Sequence, residues 1–167
     1  VKRQDQGDHW TNLRNCAYIQ EFEKEKIVYI EIQTDNKAAG YDFPCFQYDN
    51  KDTVVLNTAY IMTGKDIKYI LGVLNSSFGR VLVKNYVTRL SERQFRMLSM
   101  YVNLFPIPDS NAAKVVISDI VAQILTLKSE GKDTSELEKQ IDQLVYQLYD
   151  LTEEEIAIIE NSFKKDE

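Results

Sequence analysis

The chain has 167 residues, 44% of them hydrophobic and 11% aromatic, with a formal charge of -6 and a pI near 4.9. That composition excludes a disordered polypeptide, and no apolar run reaches the roughly 18 residues of a membrane span. The length suits one ordinary domain, or one domain with an appendage, that buries about two thirds of its unfolded surface.

Acid and base are unevenly divided. Residues 1–109 carry 14 Lys and Arg against 13 Asp and Glu, whereas residues 110–167 carry 6 against 13. Phosphate neutralisation by Lys and Arg supplies most non-specific nucleic-acid affinity, so an acidic pI ordinarily argues against that role. Here the acid is concentrated in the tail, which weakens the objection. Cys16 and Cys45 are far apart and outside any CxxC spacing, as expected of reduced thiols in a cytoplasmic protein. The chain opens on Val1 with no methionine before Met62, and it is expected to be part of a longer polypeptide.

In chain order, residues 1–8 are polar and His9-Trp10 with Leu13-Arg14 start the patterned region, Trp10 as a packed anchor. His9 is the sole histidine, so a Ser-His-Asp triad or multi-histidine metal site has nothing else to draw on. Lys26 to Ile32 alternates, with Val28, Ile30 and Ile32 on one face and Tyr29 and Glu31 on the other, which predicts a half-buried strand. Further strands are expected over Phe43–Tyr48, Thr53–Asn57 and Tyr60–Thr63, separated by turn residues, in a mainly antiparallel sheet. Ile67, Ile70, Leu71 and Leu74 at i, i+3, i+4, i+7 mark a helix that Thr63 or Asp66 caps, and Phe78, Val81 and Leu82 mark a second. Leu98 to Val102 reads as a returning extended segment, closed by Pro106 and Pro108.

The tail carries three amphipathic stripes. Val116 to Leu125 ends at Gly131, a suitable left-handed cap. Leu137 to Leu148 opens on the capping box Ser135-x-x-Glu138, and a third stripe opens on Thr152-x-x-Glu155. The expected architecture is α+β: a mixed, mainly antiparallel sheet with packed helices over 1–110, then a helical hairpin plus short helix over 111–167, packing on the first part.

Chemistry is sparse. There is no Gly-rich phosphate loop, no HExxH and no zinc-ligand cluster. Glu31 at a strand end, with Asp35 or Asp42, is a faint echo of a metal-dependent nuclease centre, which needs converging acids and a lysine. The basic stretch is clearer: residues 65–108 hold seven Lys and Arg against two acids. Arg89, Arg93, Gln94 and Arg96 have the planar or bidentate donors that major-groove base edges require, while Lys65, Lys68, Arg80 and Lys84 suit phosphates.

Several segments in order resemble the C-terminal specificity region of type IIG restriction-modification enzymes of the TaqI-like class. They are Trp10-x-x-Leu13-Arg14-x-Cys16-x-Tyr18, Phe22-Glu23-Lys24-Glu25-Lys26-Ile27-Val28-Tyr29, Lys68-Tyr69-Ile70-Leu71-Gly72-Val73-Leu74-Asn75-Ser76 and Pro106-Ile107-Pro108. Leu144 to Ile156 resembles the closing segment of the same proteins, so the likeness runs from about Trp10 to Glu160. Ser77 stands where a basic residue is frequent, and Gly79-Arg80 replaces a more aromatic continuation. The resemblance implies a target recognition domain that binds double-stranded DNA, directs cleavage and methylation, and catalyses nothing itself. It also implies N-terminal methyltransferase and nuclease regions of the same chain as partners, with S-adenosylmethionine and Mg as their cofactors, and no membrane. A protein-interaction module using the C-terminal helices and a metal-dependent nuclease fragment are the other two readings.

Overall fold

A computed structural model describes residue 16 and residues 18–51 and 53–164. The expectations at His9, Trp10, Leu13 and Arg14 lie outside the described residues.

A short 3-10 turn, Ile19–Glu23, leads into β1 (Lys26–Ile30) and β2 (Ile32–Thr34). β3 (Gln47–Asp49) and β4 (Ala59–Thr63) follow, then α1 (Ile67–Asn75) and α2 (Ser77–Tyr86). A hairpin of β5 (Thr88–Arg89) and β6 (Gln94–Arg96) precedes the single turn α3 (Ser99–Val102). The tail is α4 (Asn111–Ser129), α5 (Ser135–Leu148) and α6 (Glu153–Lys164). The strands form two three-stranded sheets, in the orders β3-β1-β4 and β2-β6-β5, with every pairing antiparallel. The α+β class with C-terminal helices is therefore as the sequence reads.

The strand expected over Phe43–Tyr48 is confined to Gln47–Asp49, and four further local expectations are corrected. The stretch from Lys26 to Ile32 is not one strand: Glu31 interrupts it and hands the chain from one sheet to the other. Its buried face is also the opposite one, since Ile27 and Tyr29 are buried while Ile30 and Ile32 are exposed. Tyr29 is drawn inward by Phe46 and Tyr60, both rings lying 5.3 Å from its own. Among the described residues of Thr53–Asn57 no ladder forms, and Leu98 to Val102 coils because the Leu98 carbonyl accepts from the amides of Tyr101 and Val102.

α1 is the element around which the core closes. Ile67, Tyr69, Leu71, Val73 and Leu74 are all buried, so the helix has almost no solvent face. It packs on β1 and β3 and against α4. Gly72 permits the second contact: a Cβ there would lie 2.6 Å from Ile117 Cγ2 and 3.0 Å from Val121 Cγ2. The glycine costs about 1 kcal/mol of helix propensity, less than the roughly 1.5–3 kcal/mol that one fully buried aliphatic side chain contributes. The core then continues without a break through Ile117, Val121 and Ile124 of α4 to Ile141 and Val145 of α5.

Helix ends reveal which oxygens are used where. Thr63 donates to Glu21, and the Asp66 carboxylate binds Lys114 at 2.9 Å instead of capping α1. Ser76 caps α2 by accepting from the Gly79 amide. At α5 the box expected at Ser135-x-x-Glu138 does not form: Thr134 is the N-cap, makes no side-chain cap bond, and donates its hydroxyl to Glu138. The box at α6 forms as expected, Thr152 N donating to Glu155 and Glu155 N to Thr152 Oγ1. Gly131 takes the left-handed conformation, φ 69°, after α4.

Candidate nucleic-acid interface

Among the described residues, the segments that carry the family likeness serve packing. In Leu74-Asn75-Ser76, Leu74 is core, Asn75 accepts from Phe46 N and donates to Phe46 O, and Ser76 caps the next helix. Buried Gln33 makes the same double bond to Cys45, at 2.9 Å each way, so two side-chain amides clamp consecutive residues beside the cis Phe43-Pro44 bond. The carbonyls of Pro106 and Pro108 accept from the hydroxyls of Tyr149 and Tyr69. Lys26 is fully buried; its ammonium donates to the carbonyls of Phe22, Lys24 and Lys51 and lies 3.3 Å from Asp49.

Onto this support the second sheet is fixed by Asp35, which follows β2. Arg80 of α2 binds the Asp35 carboxylate in a fork, at 2.6, 2.7 and 3.2 Å, and Lys84 adds a contact at 2.8 Å. The Asp35 amide in turn donates to the Arg93 carbonyl at 2.8 Å, tying helix, β2 and hairpin together. Arg80 is only 6% exposed, which makes it an anchor of the sheet.

The other expected residues separate into groups. On β6, Gln94 and Arg96 are exposed on either side of buried Phe95. Register places Ile32 and Thr88 beside Arg96, and Thr34 beside Gln94, on one solvent face. Arg89 stands opposite Phe95, on the other face of the pleat, and folds back to donate to the carbonyls of Ser91 and Glu92. Arg93, in the hairpin turn, donates to Asn36 Oδ1. Arg96 Nε donates to Glu31 Oε1 at 2.7 Å.

Lys65 and Lys68 lie elsewhere, just before and at the start of α1, near the end of the first sheet where Thr63 pairs with Lys26. Lys68 binds Glu25 at 2.9 Å and lies over the Tyr48 ring, 5.2 Å from its centre. Its hydrogen bond to Glu25 raises the ammonium pKa, and bonds from Tyr48 and then Lys68 hold the Glu25 carboxyl below the usual range. Lys65 is exposed and has no partner among the described residues. Lys65 and Lys68 thus stand by the first sheet, and Gln94 and Arg96 on the second.

Sequence reasoning placed Arg89 with Gln94 and Arg96 because a strand register is not written in one strand; the Gln94-Phe95-Arg96 alternation was the available signal. Only the pairing brings Thr34 and Thr88 to the face of Gln94 and Arg96.

The carboxylates that echo a nuclease do not converge. Glu31 faces Arg96, Asp35 faces Arg80 and Lys84, and among the described residues no three His, Cys, Asp or Glu side chains are placed to hold a metal ion. These residues do not fit Mg. Among the described residues no helix is long and apolar enough to cross a membrane.

A short antiparallel ribbon, tied to α2 by the Asp35–Arg80–Lys84 ion cluster, thus lifts amide, hydroxyl and guanidinium groups to solvent. Residues 4–107 match the TaqI-like C-terminal specificity domain, and the chain belongs to that family. Such a domain reads DNA sequence for a restriction-modification enzyme and is not itself the catalyst. The match stops at Ile107, so α4, α5 and α6 lie beyond it.

Proposed function

We propose that this chain is the target recognition domain of a type IIG restriction-modification enzyme, reading double-stranded DNA for N-terminal nuclease and methyltransferase regions of the same polypeptide. S-adenosylmethionine and Mg belong to those regions, in a cytoplasmic enzyme. The observation that carries the reading is the family match joined to the outer face of β2-β6-β5, where Gln94 and Arg96 stand in register with Thr34 and Thr88. Amide and guanidinium donors of this kind pair with adenine and guanine edges in the major groove, and the hydroxyls serve either base or backbone. Arg93 lies at the rim of that face, and Arg89 at the hairpin's far edge. Lys65 and Lys68, beside the first sheet, suit phosphates outside that face. Lys84 flanks the ribbon, and Arg80 serves it from within. Helices α4 to α6 pack on the module, with α4 and α5 sharing its core.

The test is an exchange of residues 1–110 between two relatives with different recognition sites. Cleavage and methylation sites that follow the exchanged segment support the reading, and sites that stay with the recipient overturn it. Duplex binding should also weaken steeply as salt rises. Divalent-metal-dependent cleavage by the isolated chain would favour the nuclease reading instead. One observation favours a protein-docking role for the tail: Val115 and Val116 of α4 are exposed, next to a groove lined by Ile120 and Leu144.

A further inference from the structure

Glu31 is held through both its amide and its carbonyl. Its amide donates to the Thr58 carbonyl at 2.8 Å and its carbonyl accepts from the Met97 amide at 2.6 Å, so its backbone is shared by the two sheets. From that fixed point the carboxylate reaches across the register pair Ile32–Arg96 and takes the Nε–H of Arg96. Only Nε is engaged. The two terminal nitrogens of Arg96 have no partner among the described residues, and the side chain is 47% exposed against 22% for Glu31. An arginine side chain ordinarily loses rotamer freedom when it docks on a base. A carboxylate that grips Nε fixes the plane of the guanidinium while leaving its Nη edge outward, the edge that presents two parallel donors.

We propose that Glu31 is a positioning residue for sequence readout: it orients Arg96 so that the two Nη groups meet the O6 and N7 acceptors of one guanine. The inference rests on the DNA-reading function proposed above. It differs from a competitor role, in which Glu31 would hold Arg96 away from DNA and its removal would tighten binding.

The full-length protein is mixed with a duplex pool of randomised sequence, and the bound fraction is sequenced for wild type, Arg96→Ala, Glu31→Ala and Glu31→Gln, with thermal midpoints measured in parallel. Wild type should select a motif containing guanine. Arg96→Ala should lose about ten- to a hundred-fold of discrimination at one guanine and keep the remaining positions. Glu31→Ala should lose discrimination at that same position with its thermal midpoint little changed, and Glu31→Gln, which still offers an oxygen to Nε–H, should restore most of it. In the Arg96→Ala background Glu31→Ala should add nothing. If Arg96→Ala loses the guanine while Glu31→Ala keeps it, or if Glu31→Ala tightens binding with discrimination intact, the positioning role is overturned and the DNA-reading function stands. If Arg96→Ala changes no position, the role falls as well. A wild-type protein that selects no sequence overturns the proposed function itself.

Discussion

Asp142 of α5 accepts two hydrogen bonds from Ser77, one from the backbone amide and one from the hydroxyl, each at 2.7 Å. The pair fastens the first turn of α2 to the tail and places a carboxylate at a helix N-terminus, where negative charge is favoured. A basic residue at position 77 would lack the hydroxyl that makes the second bond. Burial nevertheless dominates and pushes the Asp142 carboxyl above its ordinary range, the Ser77 bonds only partly opposing it, with Glu138 and Glu160 nearby adding to the rise. Tyr146, which faces the same cluster, is pushed up to about 12, chiefly by burial.

A pH dependence follows from that direction. A carboxyl with a raised folded pKa binds its proton more tightly in the native state than in the unfolded chain, so its contribution favours folding at low pH and is lost as pH rises through the folded value. Between the ordinary carboxylate value and the raised one, wild-type stability should carry a falling component that Asp142→Asn removes. Asp142→Ala leaves the Ser77 amide unpaired and should cost about 1–3 kcal/mol at neutral pH. Urea denaturation of the three proteins across the acid range checks both statements. Identical pH profiles for wild type and Asp142→Asn would remove Asp142 as the cause.

The glycines at the two helix contacts separate in severity. Gly72→Ala regains about 1 kcal/mol of helix propensity but drives a methyl against Ile117, a β-branched side chain with no exposure, so a net loss of about 1–2 kcal/mol is expected. Gly79→Ala is worse, because its Cβ would sit 2.2 Å from the Leu74 carbonyl oxygen, and backbone does not step aside as a side chain does. Chemical denaturation should rank Gly79→Ala well below Gly72→Ala; the reverse order would contradict the α1–α2 contact described here.

Lys26 offers a third case, of a charge whose removal is felt at several places. Lys26→Met leaves Asp49 without its counter-charge and the Phe22, Lys24 and Lys51 carbonyls without a donor, for an expected cost of about 3–5 kcal/mol. Adding Asp49→Asn should recover part of that loss, since the orphaned charge goes with it. Strictly additive effects in the double-mutant cycle would show that the ion pair is not the cause.

The parts legible in the sequence are those fixed by local rules. Spacing of apolar residues located α1 and the three tail helices, and Gly131 and Thr152 marked helix ends, because turn and cap chemistry acts within a few residues. What failed depends on distant partners. Alternation over Lys26–Ile32 gives two faces and no means of choosing between them; Phe46 and Tyr60 choose. The break at Glu31 is set by Thr58 and Met97, and the short run at Leu98–Val102 is too brief for its period to separate strand from helix. The burial of Arg80 is hidden for the same reason: its partner Asp35 is 45 residues away. Lys65 and Arg80 look alike in the text of the chain, yet one stands in solvent and the other is 6% exposed.

That contrast supplies the last expectation. Arg80→Leu removes a forked guanidinium from buried Asp35 and leaves Lys84 to hold that carboxylate through one point contact, so stability should fall by about 3–5 kcal/mol. Loss of DNA binding in that variant should track unfolding, and be restored where folding is restored at lower temperature. Lys65→Ala touches nothing described and should leave stability within about 0.5 kcal/mol of wild type. If Lys65 meets a phosphate, the slope of log affinity against log salt should become shallower by about one, equally for all sequences. An unchanged slope would take Lys65 out of the interface, and a well-folded Arg80→Leu protein that binds weakly would return Arg80 to it.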